Sequence, residues 1–532
     1  MRLREGGFMR KFNVNGTCVP SEHYMVDITD KLDQIKAMVD EKEYFTINRG
    51  RQYGKTTTLL ALEQFLADEY TVISLSFEGL GEKSFADEEV FCRDFMGLVK
   101  EALELSGYSD QEQEKWSDES VADFTTLSQH IRKVCRNSKS KYMLMIDEVD
   151  KTSNNIVFLN FLSVLRKKYL ARRADKDFTF YSVILAGVYD IRNIKLKMIQ
   201  EGAHAPSLGE TTIKNSPWNI AADFEIDMSF SPAEIETMLE AYEADYQTGM
   251  DISGIAAEIY QFTSGYPVLV SRICKHIDEK LDKVWNVQRV RQAVKLLLKE
   301  NSPLFESLVK NLESNQELSD MVYDVLMVGG RWKFSHDLAP ISLGSRYGYF
   351  KEVEGRVKIS NKIFEMRISE YFIGKAQLEK LKTEAVLPTL YADIVQNGQF
   401  NMQLCLEKFA KYYHQYYSEK DDKFLERECR FIFLFFMSPI LNGRGFAHIE
   451  SKFTDDRRMD VVVDYQDQQF IIELKIWYGE AKHEKAYDQL LGYMDKKNLD
   501  EGYLLTFDFL KTKKSKQEWV EIDDKKIFDI MV

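Results

Sequence analysis

The sequence predicts a multidomain α/β chain, with an α/β unit toward each end and helices between them. Three stretches predict this. "YFTINRGRQYGKTTTLLAL" (residues 44–62) reads strand, turn, helix; "KYMLMIDEVDK" (141–151) is an apolar strand ending in two acids; "RRMDVVVDYQDQQFIIELKIW" (457–477) reads as an acidic hairpin. At 532 residues the chain exceeds a single hydrophobic core and divides into roughly three or four domains.

Composition narrows the class. With 44% hydrophobic and 29% charged residues the chain is ordinary globular protein. Its six cysteines are scattered without a CxxC pair, and the first residues hold no apolar core of signal-peptide length. A reduced, cytoplasmic protein without disulfides or structural zinc is expected. The most apolar run, "FIFLFFM" (431–437), is far short of the roughly 20 residues of a membrane span and reads as a buried helix. A net charge of −14 weakens a nucleic-acid partner without removing it, because a local basic groove can bind phosphates on an acidic protein.

The elements follow in order. After the strand at 44–48, "KTTTLLALEQFLADEY" has helical spacing, the context a phosphate-gripping P-loop needs. Backbone N–H groups of such a loop surround a β-phosphate at a helix N-terminus, where the helix dipole also favours an anion. Gly50, Gly54, Lys55, Thr56 and Thr57 are the nucleotide candidates, with Lys55 reaching the β- and γ-phosphates and Thr56 a Mg²⁺ ligand. The usual spacing asks for glycine at 49, where the sequence has Arg49 and then Gly50. A non-glycine there costs about 1 kcal/mol or more if φ must be positive. A chance GKT at a helix start is the bland alternative.

In "KYMLMIDEVDK", Asp147 is placed to hold Mg²⁺ and Glu148 to polarise the attacking water, although apolar strands ending in DE also occur as plain exits. "FYSVILAGVYDIRNI" (180–194) reads as a further core strand. Its end, near Gly187 to Asp190, is expected beside the Asp147 strand, where its polar residues either sense the γ-phosphate or cap a helix. Ser231 and Glu234 have capping-box spacing. In "QFTSGYPVLVSRICKHI" a Gly265-Tyr266-Pro267 turn opens a helix as in AAA-type lids, with Arg272 a nucleotide contact or a solvated surface arginine. Helices and then "YGYFKEVEGRVKISNKIF", with a tight Glu354-Gly355 turn, read as a winged-helix module. Arg331, Lys333, Lys351, Arg356, Lys358 and Lys362 give it positive charge, for DNA or for nothing beyond packing.

Toward the C-terminus, a two-residue turn at Gln466 and Asp467 puts Asp460 directly opposite Glu473. Opposed Cα atoms lie about 4.5 to 5.5 Å apart, close enough for two carboxylates to share a divalent cation. Lys475 projects from the same face as Glu473. This is the metal site of phosphodiester cleavage, in which a bound metal ion activates water and a lysine stabilises developing charge. A cross-strand salt-bridge cluster is the alternative. Gln489 and Tyr493 lie four apart on a following helix, "EGYLLTFDF" (501–509) is another core strand, and Glu428 on an upstream helix could add a carboxylate.

Helix, acidic hairpin, QxxxY helix and strand is the order of PD-(D/E)XK nucleases of the RecB type. From "KFNVNGTCVPSEHYMVDITDKL" through "RQYGKTTTLL", "SGYPVLVSRICKHI", "ISNKIFE", "GRGF" and "RMDVVVDY…IIELKIW" to "GYLLTFDF", the chain resembles the bacterial AAA-ATPase-like family whose members carry a C-terminal PD-(D/E)XK nuclease superfamily domain. Only the first eight residues lie outside the resemblance, so an upstream start before Met9 is expected. An arginine ahead of "RQYGKTT" is a habit of that family, and Met459 stands where its namesake motif has proline.

The resemblance implies a P-loop AAA-type ATPase core (1–230), a helical lid (231–300), a winged-helix-like module (301–375), a helical linker (376–415) and a C-terminal α/β restriction-endonuclease-like domain (416–532). ATP and Mg²⁺ are expected at Lys55, Thr56, Asp147 and Glu148, with Arg272 in reach. Mg²⁺ or Mn²⁺ is expected at Asp460, Glu473 and Glu428, with Lys475, Gln489 and Tyr493 in support. The partner is nucleic acid, DNA first, with no membrane. Homo-oligomerisation is open, Arg172 and Arg173 being candidates to reach a neighbour's nucleotide. The expected function is an ATPase whose nucleotide state controls a metal-dependent DNase in defence or mobile-element biology. The alternatives are a non-cleaving nucleotide-dependent switch that binds nucleic acid or a protein, and a degenerate ATPase fold beside an active nuclease.

Overall fold

A computed structural model describes residues 9–117, 120–149, 156–187, 218–381, 393–417, 422–441, 444–450, 459–509 and 516–532. The chain divides into two compact units. The first comprises Met1–Asp245, Tyr266–Ser271 and Arg346–Gly348; the second comprises Tyr246–Gly265, Arg272–Ser345 and Tyr349–Val532.

The first unit is built on four parallel strands, β1 (Tyr44–Asn48), β2 (Thr71–Ser76), β3 (Tyr142–Asp147) and β4 (Ser182–Gly187), in the order β1-β4-β3-β2. Almost every residue of β1, β3 and β4 is buried, as expected of a parallel sheet covered on both faces. Alternation sorts them. Phe45, Ile47, Met143 and Met145 face Leu59 and Leu62 of helix Lys55–Leu66 and Ile35 of helix Thr29–Asp40. Tyr44, Leu144 and Ile146 face the opposite cluster, with Phe91 and Phe95 of helix Glu88–Leu105 and Phe161 of helix Ile156–Arg173. Beyond β1, Ala222 bridges Phe45 in parallel, its N–H donating to the Tyr44 carbonyl at 2.8 Å. Because β4 lies between β1 and β3, its carboxyl end separates the loops that leave those strands. Ligands of open α/β sheets bind at such a crevice. Residues 188–190, at the end of the expected sensor strand, lie outside the described residues. The capping box forms, with Ser231 N–H donating to Glu234 Oε2 at 2.7 Å and Glu234 N–H to Ser231 Oγ at 3.2 Å.

In the second unit, helices Pro303–Ser314, Gln316–Tyr323 and Ala339–Arg346 precede a hairpin of β5 (Phe350–Val353) and β6 (Arg356–Ile359). Positive φ at Glu354 (51°) and Gly355 (73°) makes the tight turn that suits the strands' twist. A short hairpin, β7 (Val395–Gln396) and β8 (Gln399–Phe400), follows. Next comes a six-stranded sheet of β9 (Gly445–Glu450), β10 (Met459–Tyr465), β11 (Gln468–Ile476), β12 (Glu501–Phe507), β13 (Lys516–Ile522) and β14 (Lys525–Met531). Its order is β13-β14-β12-β11-β10-β9, with β11, β12 and β14 parallel. Helix Glu480–Lys497 covers one face through Ala486, Leu490 and Met494 against Val462, Ile471, Leu504 and Ile527. On β12, Phe507 meets Phe409 and Tyr413 of helix Met402–Tyr417. No helix among the described residues is long and apolar enough to cross a membrane.

Candidate functional site

The loop between β1 and helix Lys55–Leu66 is where the sequence placed it. Gly54 precedes the helix with φ 79°, a value that favours glycine. The Lys55 ammonium donates to the carbonyls of Arg49 (3.1 Å) and Gly50 (3.2 Å), curling the side chain over the loop. Thr56 Oγ1 donates to Asp147 Oδ2 at 2.6 Å, so the helix start and the end of β3 meet. The backbone N–H of Glu148 donates to Asp147 Oδ1 at 2.8 Å, and Glu148 holds φ 55°. A non-glycine residue in that region is uncommon and costs about 1 kcal/mol or more. A hydroxyl and a carboxylate in contact are hard oxygen donors suited to Mg²⁺.

Arg49 is not strained. Positive φ in the loop falls on Gln52 (56°) and Gly54, so the expected cost of a missing glycine at 49 does not arise. Arg49 N–H continues the β1–β4 pairing by donating to the Gly187 carbonyl (3.1 Å), and its guanidinium reaches the carbonyls of Asn48 and Ile226 (2.7 Å) over the Phe224 ring. Gly50 matters for another reason. A Cβ there would stand 2.9 Å from the Tyr347 carbonyl oxygen and 3.3 Å from Tyr266 Oη. Tyr266 Oη also donates to the Arg51 carbonyl at 2.7 Å, while the Tyr53 ring packs on Tyr266 and its hydroxyl lies 2.6 Å from Ser229 Oγ. The loop tip is thus clasped from outside by Tyr266 and Tyr347.

A cleft of about 150 Å³ adjoins the loop, lined by Val14, Cys18, Gly54, Thr57, Phe230 and Val268 among others. Thr57 has a structural duty as well, since its hydroxyl accepts the Cys18 N–H at 3.2 Å and ties the N-terminal segment to the helix. Burial raises the Cys18 thiol pKa, which disfavours the thiolate.

Two arginine candidates are engaged elsewhere. Arg272, 8% exposed, pairs with Glu300, which also takes His276 Nε2 at 3.1 Å. Burial works to raise the Glu300 pKa, but hydrogen bonds and charge from His276 and Arg272 outweigh it and hold the carboxyl below its usual value. Arg172 donates to the carbonyls of Phe180, Tyr181 and Lys42, so its guanidinium closes the helix end on the sheet. Arg173 keeps a side chain 60% exposed beside Tyr169 and Glu43.

In the second unit the hairpin register is as expected, with Asp460 opposite Glu473 and Tyr465 opposite Gln468 across a turn at Gln466 and Asp467. The carboxyl of Asp460 lies outside the described side chains. Glu473 is 2% exposed and its carboxylate lies 2.8 Å from the Lys475 ammonium, which in turn donates to Gln489 Oε1 at 3.3 Å. Glu473, Lys475 and Gln489 are therefore together. Tyr493 is found among the apolar residues under helix Glu480–Lys497, and Glu428 accepts from Tyr323 Oη at 2.5 Å. Among the described residues no group of three or more His, Cys, Asp or Glu side chains is arranged to hold a metal. Sequence reading missed His483, Tyr487, Lys516 and Asp529, which meet on the same sheet face; the i, i+4 spacing of His483 and Tyr487 was its only signal.

Strand order, glycine-bearing loop, helix-borne Lys55 and Thr56, and Asp147 on β3 together define an AAA-type P-loop ATPase core. Residues 19–366 match the family described as AAA-like domain. The chain belongs to that family, and this part of it is a nucleotide-binding, AAA-like ATPase domain. No curated protein matches. Solved structures with some likeness include the Walker-type ATPase of Pyrococcus abyssi (11% identity, TM-score 0.44, covering 67% of this chain and 99% of that one). The Aeropyrum pernix ORC2 protein in ADPNP and ADP complexes has 10% identity and TM-score 0.33, covering 67% of this chain and 96% of its own. The Aeropyrum pernix ORC1 protein in complex with DNA has 11% identity and TM-score 0.26, covering 66% and 94%. With TM-scores under 0.5, none of these bears on the assignment.

Proposed function

We propose that the nucleotide state of the P-loop controls a metal-dependent DNA nuclease in the C-terminal part of the chain. The observation that carries the nucleotide half is the Thr56–Asp147 hydrogen bond, which assembles a hydroxyl and a carboxylate beside Lys55. In this reading Lys55 would bind the β- and γ-phosphates, Thr56 and Asp147 would hold Mg²⁺, which would neutralise charge on the phosphates, and Glu148 would orient the attacking water. Gly50 and Gly54 belong to the phosphate cradle, and the apolar cleft beside Thr57 takes the base.

Support for the nuclease half is the Asp460–Glu473 pairing with Lys475 on the next same-face position. Both acids are hard oxygen donors, and Mg²⁺ or Mn²⁺ bound there would supply a water of lowered pKa. Lys475 would stabilise the developing charge, with Gln489 orienting its ammonium. Glu428 and Tyr493 would act from the flanking helices. Residues 301–375 are proposed as a winged-helix-like module presenting Arg331, Lys333, Lys351, Arg356, Lys358 and Lys362 to DNA. A cytoplasmic, bacterial, homo-oligomeric ATPase in defence or mobile-element biology, with Arg173 reaching a neighbour, completes the proposal; Arg272, held by Glu300, is left out of it.

One observation favours the non-cleaving switch: Glu473 and Lys475 already neutralise each other at 2.8 Å. Incubation with linear and circular DNA and Mg²⁺ or Mn²⁺, beside Glu473→Gln, separates the two. Cleavage lost in the variant supports the nuclease, and no cleavage in any condition leaves the switch.

A further inference from the structure

Asp529 lies in β14 with its side chain wholly buried, and three donors converge on its Oδ2: His483 Nε2 at 2.7 Å, the Lys516 ammonium at 2.8 Å and the Tyr487 hydroxyl. Lys516 also donates to Tyr487 Oη at 2.9 Å, and the His483 ring lies 5.1 Å from that of Trp477. His483 and Tyr487 are one turn apart near the start of helix Glu480–Lys497, so a single carboxylate grips two successive turns of it. Burial alone would raise the Asp529 pKa, but the hydrogen bonds from His483, Lys516 and Tyr487 outweigh it and keep the carboxylate ionised. Its second oxygen, Oδ1, is buried without a hydrogen-bond partner among the described residues.

The place of this cluster gives it meaning. Register runs Asp460 to Glu473, Glu473 to Leu504, and Leu504 to Asp529, one row across four strands. Side chains opposed in register share a face, and so do those two apart on a strand. Ile471, two residues from Glu473, and Ile527, two from Asp529, both pack under helix Glu480–Lys497. Glu473 and Asp529 therefore stand on the face that this helix covers, two strand spacings or about 9.5 Å apart. On that face the helix makes polar contacts through His483 and Tyr487 to Asp529, and through Gln489 to Lys475 at the next same-face position from Glu473.

We propose that Asp529 is a positioning residue of the Glu473–Lys475 site: its grip on His483 and Tyr487 fixes the helix so that Gln489 holds the Lys475 ammonium beside Glu473. Apolar contacts alone leave a helix able to shift along a sheet, whereas hydrogen bonds from two turns to one ionised carboxylate fix its position and rotation. Asp529 touches no reacting atom and acts through the helix. The inference rests on the metal-site reading proposed above.

The test uses the full chain without nucleotide, with Mn²⁺ as the probe. Calorimetric Mn²⁺ titration of the native chain and Glu473→Gln isolates the Glu473-dependent site; Asp529→Asn and the gentler Tyr487→Phe are titrated alongside, and amide hydrogen exchange is read across residues 480–497. The expected result for Asp529→Asn is at least a tenfold loss of Mn²⁺ affinity at that site and at least tenfold faster exchange in the helix, with a smaller change of the same sign in Tyr487→Phe and ATP affinity kept. Unaltered Mn²⁺ affinity in both variants overturns the positioning role, even if exchange rises. If Glu473→Gln binds Mn²⁺ as the native chain does, the metal-site reading fails, and unaltered helix exchange in Asp529→Asn then overturns the anchor too.

Discussion

Replacing Gly50 by alanine adds one methyl group at the point where the loop is clasped. The added Cβ would stand 2.9 Å from the Tyr347 carbonyl oxygen and 3.3 Å from Tyr266 Oη. The first neighbour is backbone and cannot swing aside. The second is held by its bond to the Arg51 carbonyl at 2.7 Å, so relief must come from the loop itself. Forcing a methyl into a packed site costs about 1–3 kcal/mol. If the loop absorbs this by moving its N–H groups off the phosphates, nucleotide affinity falls about 5- to 150-fold, at 1.4 kcal/mol per factor of ten. Calorimetric ATP titration in Mg²⁺ reads the effect, with Lys55→Ala as the null for phosphate binding and a melting curve as the check on folding. Affinity within twofold of the native chain would refute the argument that Gly50 is glycine because of Tyr347 and Tyr266.

Four other outcomes are expected. Arg49→Gly should restore the usual spacing without tightening ATP, and should lower the melting temperature through loss of its bonds to Asn48 and Ile226, worth about 1–2 kcal/mol in a thermal or denaturant scan. Thr56→Ala should remove the Mg²⁺-dependent part of ATP affinity while leaving the metal-free part, as titrations with and without Mg²⁺ would show. Glu148→Gln should hold ATP yet slow phosphate release by at least a hundredfold, because a neutral amide cannot take up the water's proton. Burial pushes the Glu365 carboxyl up to about 7, against weaker opposing pulls from Lys362, Lys351 and Lys358, and its Oε2 is buried without a hydrogen-bond partner among the described residues. With the folded pKa above the unfolded one, the fold keeps the proton, so stability falls as pH climbs from about 4.5 to about 7, by roughly 3 kcal/mol at most. Glu365→Gln should therefore stabilise the chain at pH 8 and change little at pH 5 in denaturant melts; equal effects at both would contradict this.

Legibility followed the range of the interactions. The capping box of Ser231 and Glu234, the Glu354–Gly355 turn and the Asp460–Glu473 register could all be read because each is decided within a few residues. The Thr56–Asp147 contact was legible because a strand–loop–helix and a strand ending in acids have few ways to meet in a parallel sheet. What escaped depends on distant partners. Gly50 answers to Tyr347, far along the chain, so the sequence pointed to strain at Arg49 when the positive φ falls on Gln52. Helical spacing put Gln489 and Tyr493 on one face, but could not tell that Gln489 meets Lys475 while Tyr493 joins the apolar layer. His483 and Tyr487 gain their meaning only from Asp529, on a strand beyond the helix. Arg172 looked like a charge on offer, and three backbone carbonyls take it.

The most direct measurement compares DNA cleavage rates of the native chain and Lys55→Ala, each with Mn²⁺ and with or without ATP, beside Glu473→Gln as the inactive reference. The account predicts that ATP changes the native rate at least tenfold in one direction, that Lys55→Ala is insensitive to ATP, and that Glu473→Gln does not cleave. Native and Lys55→Ala rates that agree with and without ATP would contradict it.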